Sequence, residues 1–290
     1  MRKEATERYR MTIVPISADQ VTADYFKRQA EKNLALQQLR AFETKPLALK
    51  RDVFFVPGWA GEDGQCWMEP YDGVLQGHAA MRWWMERLVP SVGQPRVHFL
   101  TFSREDSEPC PSFLEFAQVL KRKIRDVIAL SQPMDVVCHS MGSLDAIAAI
   151  TQPPTPLQSV VNLVAVGSPL QGIFYGELVR PIDELLPFVR WEPHHYLQVR
   201  NLNSEAAPMR LINALDTRRR LLTRVSALST IEGTQDAVVM RSARLRTDGL
   251  SVALLRKITA RSICGATHTG PAGVTQDPRT ARDIVNILAA

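Results

Sequence analysis

The stretch Val136-Val137-Cys138-His139-Ser140-Met141-Gly142-Ser143 runs from an apolar pair into a serine bracketed by small residues, then into the helix-like segment Leu144 to Ile150. It has the outline of a nucleophile elbow, in which a strand ends, the chain turns sharply and a helix begins. The serine at the apex is held in strained backbone geometry with its hydroxyl projecting. Such a turn needs small residues two positions before and after the serine, where a side chain collides with the adjoining strand or helix. Gly142 meets that need; Cys138 meets it only partly, so the sequence departs from strict G-x-S-x-G at the first position. Serine and glycine are also ordinary turn and capping residues, so the octet alone leaves a plain strand-to-helix connection open.

Outward from the octet, short β-branched or apolar runs alternate with segments long enough for amphipathic helices, the pattern of a mainly parallel α/β sheet. Strands are expected at Val53 to Val56, Val97 to Phe102, Asp135 to Cys138, Val160 to Val166, Val225 to Ile231 and Arg261 to Gly265. Helical patterns lie at Val74 to Val89, Ser112 to Leu130 and Gly142 to Ile150, with a terminal helix at Arg279 to Ala289. In the first helix Leu75, Ala79, Trp83 and Met85 or Glu86 fall at helical spacing, so Trp83 is read as a core residue. The second opens after Pro111 with Ser112 as N-cap and Glu115 completing a capping box, and its Lys121-Arg122-Lys123 cluster reads as a solvated face.

The expected organisation is an N-terminal extension over 1–49 and one α/β domain over 50–290. Residues 18 to 42 read as a polar amphipathic helix, with a possible edge strand at Met11 to Ile16. After Val166 the alternation breaks, and a cap insertion at about 171–224 is the economical explanation, with helical patterns at Glu177 to Leu186 and Glu205 to Leu222. Ordinary crossover helices with long loops are the alternative.

A chain of 290 residues that is 45% hydrophobic is long enough to bury a large core. No run approaches the roughly 20 apolar residues that span a bilayer, so no transmembrane segment is expected. The charged start, Met1-Arg2-Lys3-Glu4-Ala5, is not followed by an apolar stretch, which points to a cytoplasmic location. Cys66, Cys110, Cys138 and Cys264 show no C-x-x-C spacing, arguing against a zinc site or a disulfide framework and for buried free thiols. The net charge of +5 is spread along the chain. Arg218-Arg219-Arg220 reads as a solvated helix face, and no nucleic-acid motif accompanies it. No metal or organic cofactor is indicated, and oligomeric state is not readable.

A serine hydroxyl is a weak nucleophile near neutral pH and needs a general base, itself oriented by a carboxylate. On a strand-turn-helix scaffold of this kind the partners follow in the order serine, acid, histidine. His268 sits in a glycine-containing loop after an apolar strand, Ser262 to Pro271, which is the setting a base requires. His78, His98, His139, His194 and His195 are its rivals; His139, next to the serine, reads as a packed structural residue. Asp236 is the best placed acid, with Glu232, Asp216 and Asp248 as alternatives. An oxyanion hole needs main-chain N–H donors. Met141, after the serine, is one candidate, and Trp59, in Val56-Pro57-Gly58-Trp59, is the other.

These pieces together, V-F-F-V-P-G-W, V-V-C-H-S-M-G-S, V-A-V-G-S-P-L-Q-G and A-T-H-T-G-P, resemble the α/β-hydrolase superfamily and its lipase and esterase branch. The resemblance covers roughly residues 50 to 170 and 225 to 290. It implies an α/β-hydrolase fold with an inserted helical cap, Ser140 as nucleophile, His268 as base, Asp236 as its acid, and Trp59 with Met141 as oxyanion donors. The implied activity is cleavage of carboxylic esters of a small-molecule or lipid-like substrate through an acyl-enzyme. Acyl transfer or thioester hydrolysis on the same residues, and a non-catalytic binding protein, are the competing functions. Apolar residues of the cap, among them Phe174, Tyr175, Phe188 and Trp191, suit an acyl-chain pocket or a packed lid equally.

Overall fold

The computed structural model describes residues 18–44, 47–58, 67, 81–89, 96–154, 156–173, 193–236, 239, 243–268 and 273–290. Its frame is a six-stranded, wholly parallel sheet in the order β2-β1-β3-β4-β5-β6. In chain order the elements are α1 (Ala18–Thr44), β1 (Asp52–Val56), α2 (Met81–Leu88), β2 (Val97–Phe99), α3 (Arg104–Ser107) and α4 (Phe113–Arg125). There follow β3 (Met134–His139), α5 (Gly142–Thr151), β4 (Val160–Val166), α6 (Pro193–Asn201), α7 (Ala207–Asn213) and α8 (Leu215–Arg224). The chain finishes with β5 (Ala227–Gly233), α9 (Val252–Leu255), β6 (Ile258–Ile263) and α10 (Pro278–Ala289).

Alternate side chains along each strand feed two separate cores, as a sheet covered on both faces requires. Phe54, Val56, Val136, Cys138, Leu163 and Ala165 pack with Phe113, Phe116 and Leu120 of α4, Leu144 and Ile147 of α5, and Leu221 of α8. Val53, Phe55, Val137, Val164 and Val166 share the other core with Leu39 of α1, Trp84 and Met85 of α2, and Ile284, Val285 and Leu288 of α10. The sheet is therefore the middle of three layers, and its inner strands β1 and β3 are buried along their whole length because both of their faces are covered.

Several boundaries differ from the expectation for identifiable reasons. The second strand stops at Phe99, because Leu100 and Phe102 turn into the core, where Phe102 meets Phe116 edge-on at 4.7 Å, and Ser103 caps α3. The last strand starts three residues earlier than its apolar signal, since β6 is an edge strand whose middle residues, Thr259 to Ser262, are exposed. Val225 ends α8 instead of opening β5. The expected helix from Glu205 to Leu222 is two helices, broken where Ala214 adopts extended backbone (ψ 139°). Helix α4 ends at Arg125; at its start Ser112 accepts a bond from the Leu114 N–H at 3.2 Å and also bonds the Glu115 carboxylate. The possible strand at Met11 to Ile16 and the pattern at Glu177 to Leu186, with Phe174, Tyr175, Phe188 and Trp191, lie outside the described residues.

Four side chains take the opposite environment from the one their pattern suggested. One is Arg218, which is buried in the first turn of α8 with its guanidinium donating to the Arg246 and Asp248 carbonyls at 2.7 and 2.9 Å instead of lying on a solvated face. In α2 the buried stripe is Met81, Trp84, Met85 and Leu88; Met85 lies on it as expected, but Trp83 is 39% exposed and lies under the Arg87 guanidinium at 4.2 Å. Trp84→Ala should cost about 3–5 kcal/mol, and Trp83→Ala only the ~0.5–1 kcal/mol of an exposed cation–π contact, read from denaturation midpoints. Lys121 is buried on the inner face of α4, its Nζ has no hydrogen-bond partner among the described residues, and burial pushes its ammonium below the usual range. Its neighbours Arg122 and Lys123 do face outward, pairing with Asp106 at 2.8 and 2.7 Å. Cys110 and Cys138 are buried thiols, whereas Cys264 is exposed.

Candidate active site

Because every strand runs the same way, the loops after β1, β3, β4, β5 and β6 all leave the sheet at one edge. In open α/β sheets ligands bind outside the carboxyl ends of the strands, where the strand order reverses. Here β1 is flanked by β2 on one side and β3 on the other, so the reversal falls between β1 and β3, and the octet that follows β3 sits beside it.

At the end of β3, Ser140 has φ of +50°, and it is the one non-glycine residue with positive φ among the described residues. Its N–H is tied to the Val166 carbonyl at 2.9 Å and its carbonyl accepts from Ser143 N–H at 3.1 Å. Left-handed backbone costs an L-residue roughly 1–2 kcal/mol, so the turn is strained and held by its surroundings. Glycines make room for it. A Cβ on Gly142 would stand 2.2 Å from the Pro57 carbonyl oxygen, and one on Gly58 would stand 2.8 Å from Ser140 Cβ. Cys138 fits where glycine is usual because a small hydroxyl residue faces it: its thiol bonds to Ser143, whose hydroxyl bonds in turn to Ser168. Burial, the dominant influence, pushes the Cys138 thiol far above its ordinary value, so it is an inert protonated filler.

Ser140 Oγ lies 3.0 Å from His268 Nε2, and His268 Nδ1 lies 2.8 Å from Asp236 Oδ2. With Nδ1 carrying its proton toward the carboxylate, Nε2 is left to accept from the serine hydroxyl. Asp236 is buried, and its other oxygen accepts from Val239 N–H at 2.9 Å. Gly167, at φ +53° after β4, backs the pair: a Cβ there would reach 3.4 Å from Asp236 Oδ2 and 3.5 Å from His268 Nδ1. The three residues thus come from three loops, after β3, β5 and β6, and meet at one edge of the sheet.

The rival residues are occupied elsewhere. Glu232 pairs with Arg244 at 2.6 Å, Asp248 with Arg218 at 3.1 Å, and Asp216 is exposed in the first turn of α8. His98 bonds Asp52 at 2.9 Å and stacks on Phe54. His78 lies outside the described residues, as do the side chains of His194 and His195. His139 does pack, and its ring lies against that of His268, a contact that no local pattern anticipates.

Met141 begins α5 in helical conformation (φ −56°, ψ −31°), so its N–H belongs to the first turn, where no preceding carbonyl is available to pair it. A helix N-terminus of this kind favours negative charge near Ser140 Oγ. Trp59 lies outside the described residues, but Gly58 before it abuts Ser140.

The loop that carries His268 is anchored from α1 and α10. The buried Arg279 guanidinium binds the Cys264 carbonyl at 2.8 Å, Asp277 at 2.8 Å and Glu31 of α1 at 3.0 Å, while Lys32 approaches Asp277 at 3.5 Å. These attachments fix both ends of the segment between β6 and α10.

Asp145, in the first turn of α5, is buried with Oδ1 unpartnered among the described residues, and burial pushes its carboxyl well above the usual carboxylate range. A raised folded-state value means stability that is full below the unfolded value and declines as pH rises above it. Asp145→Asn should therefore raise the thermal midpoint at pH 7 and leave it unchanged near pH 3.

No protein-family model matches the chain, and no curated protein sequence matches it. Solved structures do. The phospholipase PlaB from Legionella pneumophila is 15% identical, with 82% of this chain and 60% of that chain covered, at a TM-score of 0.58. The metagenomic carboxyl esterase MGS0156 is 14% identical, with 84% and 76% covered, at a TM-score of 0.50. This chain thus spans 60% of the phospholipase's length. The chain has the α/β-hydrolase fold.

Proposed function

We propose that this chain is a serine hydrolase that cleaves carboxylic esters through an acyl-enzyme on Ser140. The observation that carries this reading is the continuous line of hydrogen bonds from Ser140 Oγ through His268 to Asp236, at 3.0 and 2.8 Å, ending on a serine held at positive φ. In the first step His268 Nε2 takes the Ser140 proton as Oγ bonds the ester carbonyl carbon, and Asp236 stabilises the resulting imidazolium. The Met141 N–H, with a second donor read from the sequence as Trp59, holds the tetrahedral oxyanion. His268 then returns the proton to the leaving alcohol as the carbon–oxygen bond breaks. Water, deprotonated by the same ring, attacks the acyl-serine and frees the acid. The phospholipase and the carboxyl esterase that share the fold are consistent with an ester substrate, lipid-like or small. No helix among the described residues is long and apolar enough to cross a membrane.

Hydrolysis of p-nitrophenyl esters of increasing chain length tests the reading. The native chain should turn them over, and Asp236→Asn, which favours the wrong His268 tautomer, should lower kcat by about 10⁴. Turnover that survives His268→Ala at the native rate contradicts it.

A further inference from the structure

One ring at this site has no part in the proton transfers above. His139, the last residue of β3, is 3% exposed, and its ring lies 4.9 Å from the His268 ring, centroid to centroid, with 35° between the planes. Trp67 meets it edge-on at 6.1 Å, and a Cβ on Gly58 would come within 3.2 Å of its Nδ1. Trp67 is fixed in turn, through Nε1 to the Val56 carbonyl at 3.0 Å and edge-on to Phe55 at 5.4 Å. His139 is thus held from β1 as well as from its own strand. Its Nε2 is buried with no partner among the described residues. Burial above all, then the neighbouring His268, holds its ionisation well below the ordinary histidine range, so the ring is neutral; a bond to the His268 main chain opposes this more weakly.

The two bonds made by the His268 side chain lie in its ring plane, one to Asp236 and one to Ser140. Turning of the ring about its Cβ–Cγ bond carries Nδ1 and Nε2 out of line with those partners. A surface against the ring face resists that turn. We infer that His139 is a positioning residue for His268: its ring is the wall that keeps the His268 imidazole in line with Ser140 and Asp236. The inference rests on His268 being the general base. It also explains why an aromatic ring without charge suits the place. When His268 takes the serine proton it becomes a cation, which a neutral π face favours and a second imidazolium opposes.

The test compares His139→Phe, which keeps a neutral flat ring, with His139→Leu, which fills similar space without one. Two readouts are taken at matched thermal midpoints: the second-order rate of inactivation by a fluorophosphonate, and the low-field proton resonance of His268 Nδ1–H. His139→Leu should slow inactivation by about 10- to 100-fold, the scale of a small misplacement of a reacting group, and broaden the resonance. His139→Phe should keep both near native. A Leu variant as fast as the native chain, or a Phe variant as slow as Leu, overturns the inference. If the native chain does not react with the probe at all, the hydrolase reading fails instead, and the resonance alone still decides whether His139 holds the ring.

Discussion

Replacing Ser140 with alanine is expected to lower ester turnover by about 10⁴- to 10⁶-fold while leaving the fold intact. The loss is that large because no other group stands where Ser140 Oγ stands, 3.0 Å from His268 Nε2 and at the start of α5. The neighbouring hydroxyl, Ser143, is buried and bonded to Ser168, so it offers no substitute. The backbone provides a control on the same residue. At φ +50° alanine is as strained as serine, whereas glycine is not, so Ser140→Gly should be more stable than Ser140→Ala by about 1 kcal/mol and equally inactive. Thermal midpoints measured beside ester turnover separate the chemical role of the hydroxyl from the backbone it is mounted on.

Gly142→Ala is expected to damage stability and chemistry together. Its new Cβ would lie 2.2 Å from the Pro57 carbonyl oxygen and 3.1 Å from Val56 Cγ1, both on or beside β1 in the centre of the sheet. Neither is the loose end of a flexible side chain, so the start of α5 has to move away from β1. Overpacking of this kind costs about 1–3 kcal/mol, and a backbone obstacle falls at the upper end of that range. For a domain of this size about 2–4 °C of thermal midpoint is lost per kcal/mol. Because Ser140 and Met141 are carried on the same turn, the displacement should lower turnover by about 10²-fold, the scale of a misplaced reacting group. A Gly142→Ala chain with native turnover would show that the turn tolerates movement, contrary to the packing described.

What could be read beforehand followed from how each residue meets its surroundings. Buried strands announce themselves because both faces are apolar, so Val160–Val166 lies where its run of apolar residues begins and ends. The exposed edge strand β6 is only half legible: Arg261 to Ile263 fall in the expected strand, but its first half, Ile258 to Ala260, carries no apolar run. Helical phase fails where two tryptophans are adjacent: Trp83 and Trp84 have equal hydrophobicity, and only the neighbouring layer decides which turns inward. Charge misleads at Lys121, whose long apolar stem packs inside while its sequence neighbours reach solvent. Ser140, Asp236 and His268 were nameable because each follows a strand in the order a scaffold of this kind uses, and the side chains of Ser140 and Asp236 do lie within hydrogen-bond reach of His268. The Cys138 departure was visible in the sequence, but its remedy, the hydroxyl of Ser143 at the second position of α5, was not. The face contact of His139 with His268 joins residues 139 and 268 across the fold, and no local pattern encodes such a pairing.

The claim on which the rest depends is that Ser140 is a nucleophile activated by His268. The measurement that reaches it most directly is mass spectrometry of the chain after reaction with a fluorophosphonate, with the adduct mapped to its peptide. The account predicts a single adduct on Ser140, missing in Ser140→Ala and formed far more slowly in His268→Ala. An adduct that persists in Ser140→Ala, or a native chain that takes up no label, would contradict it.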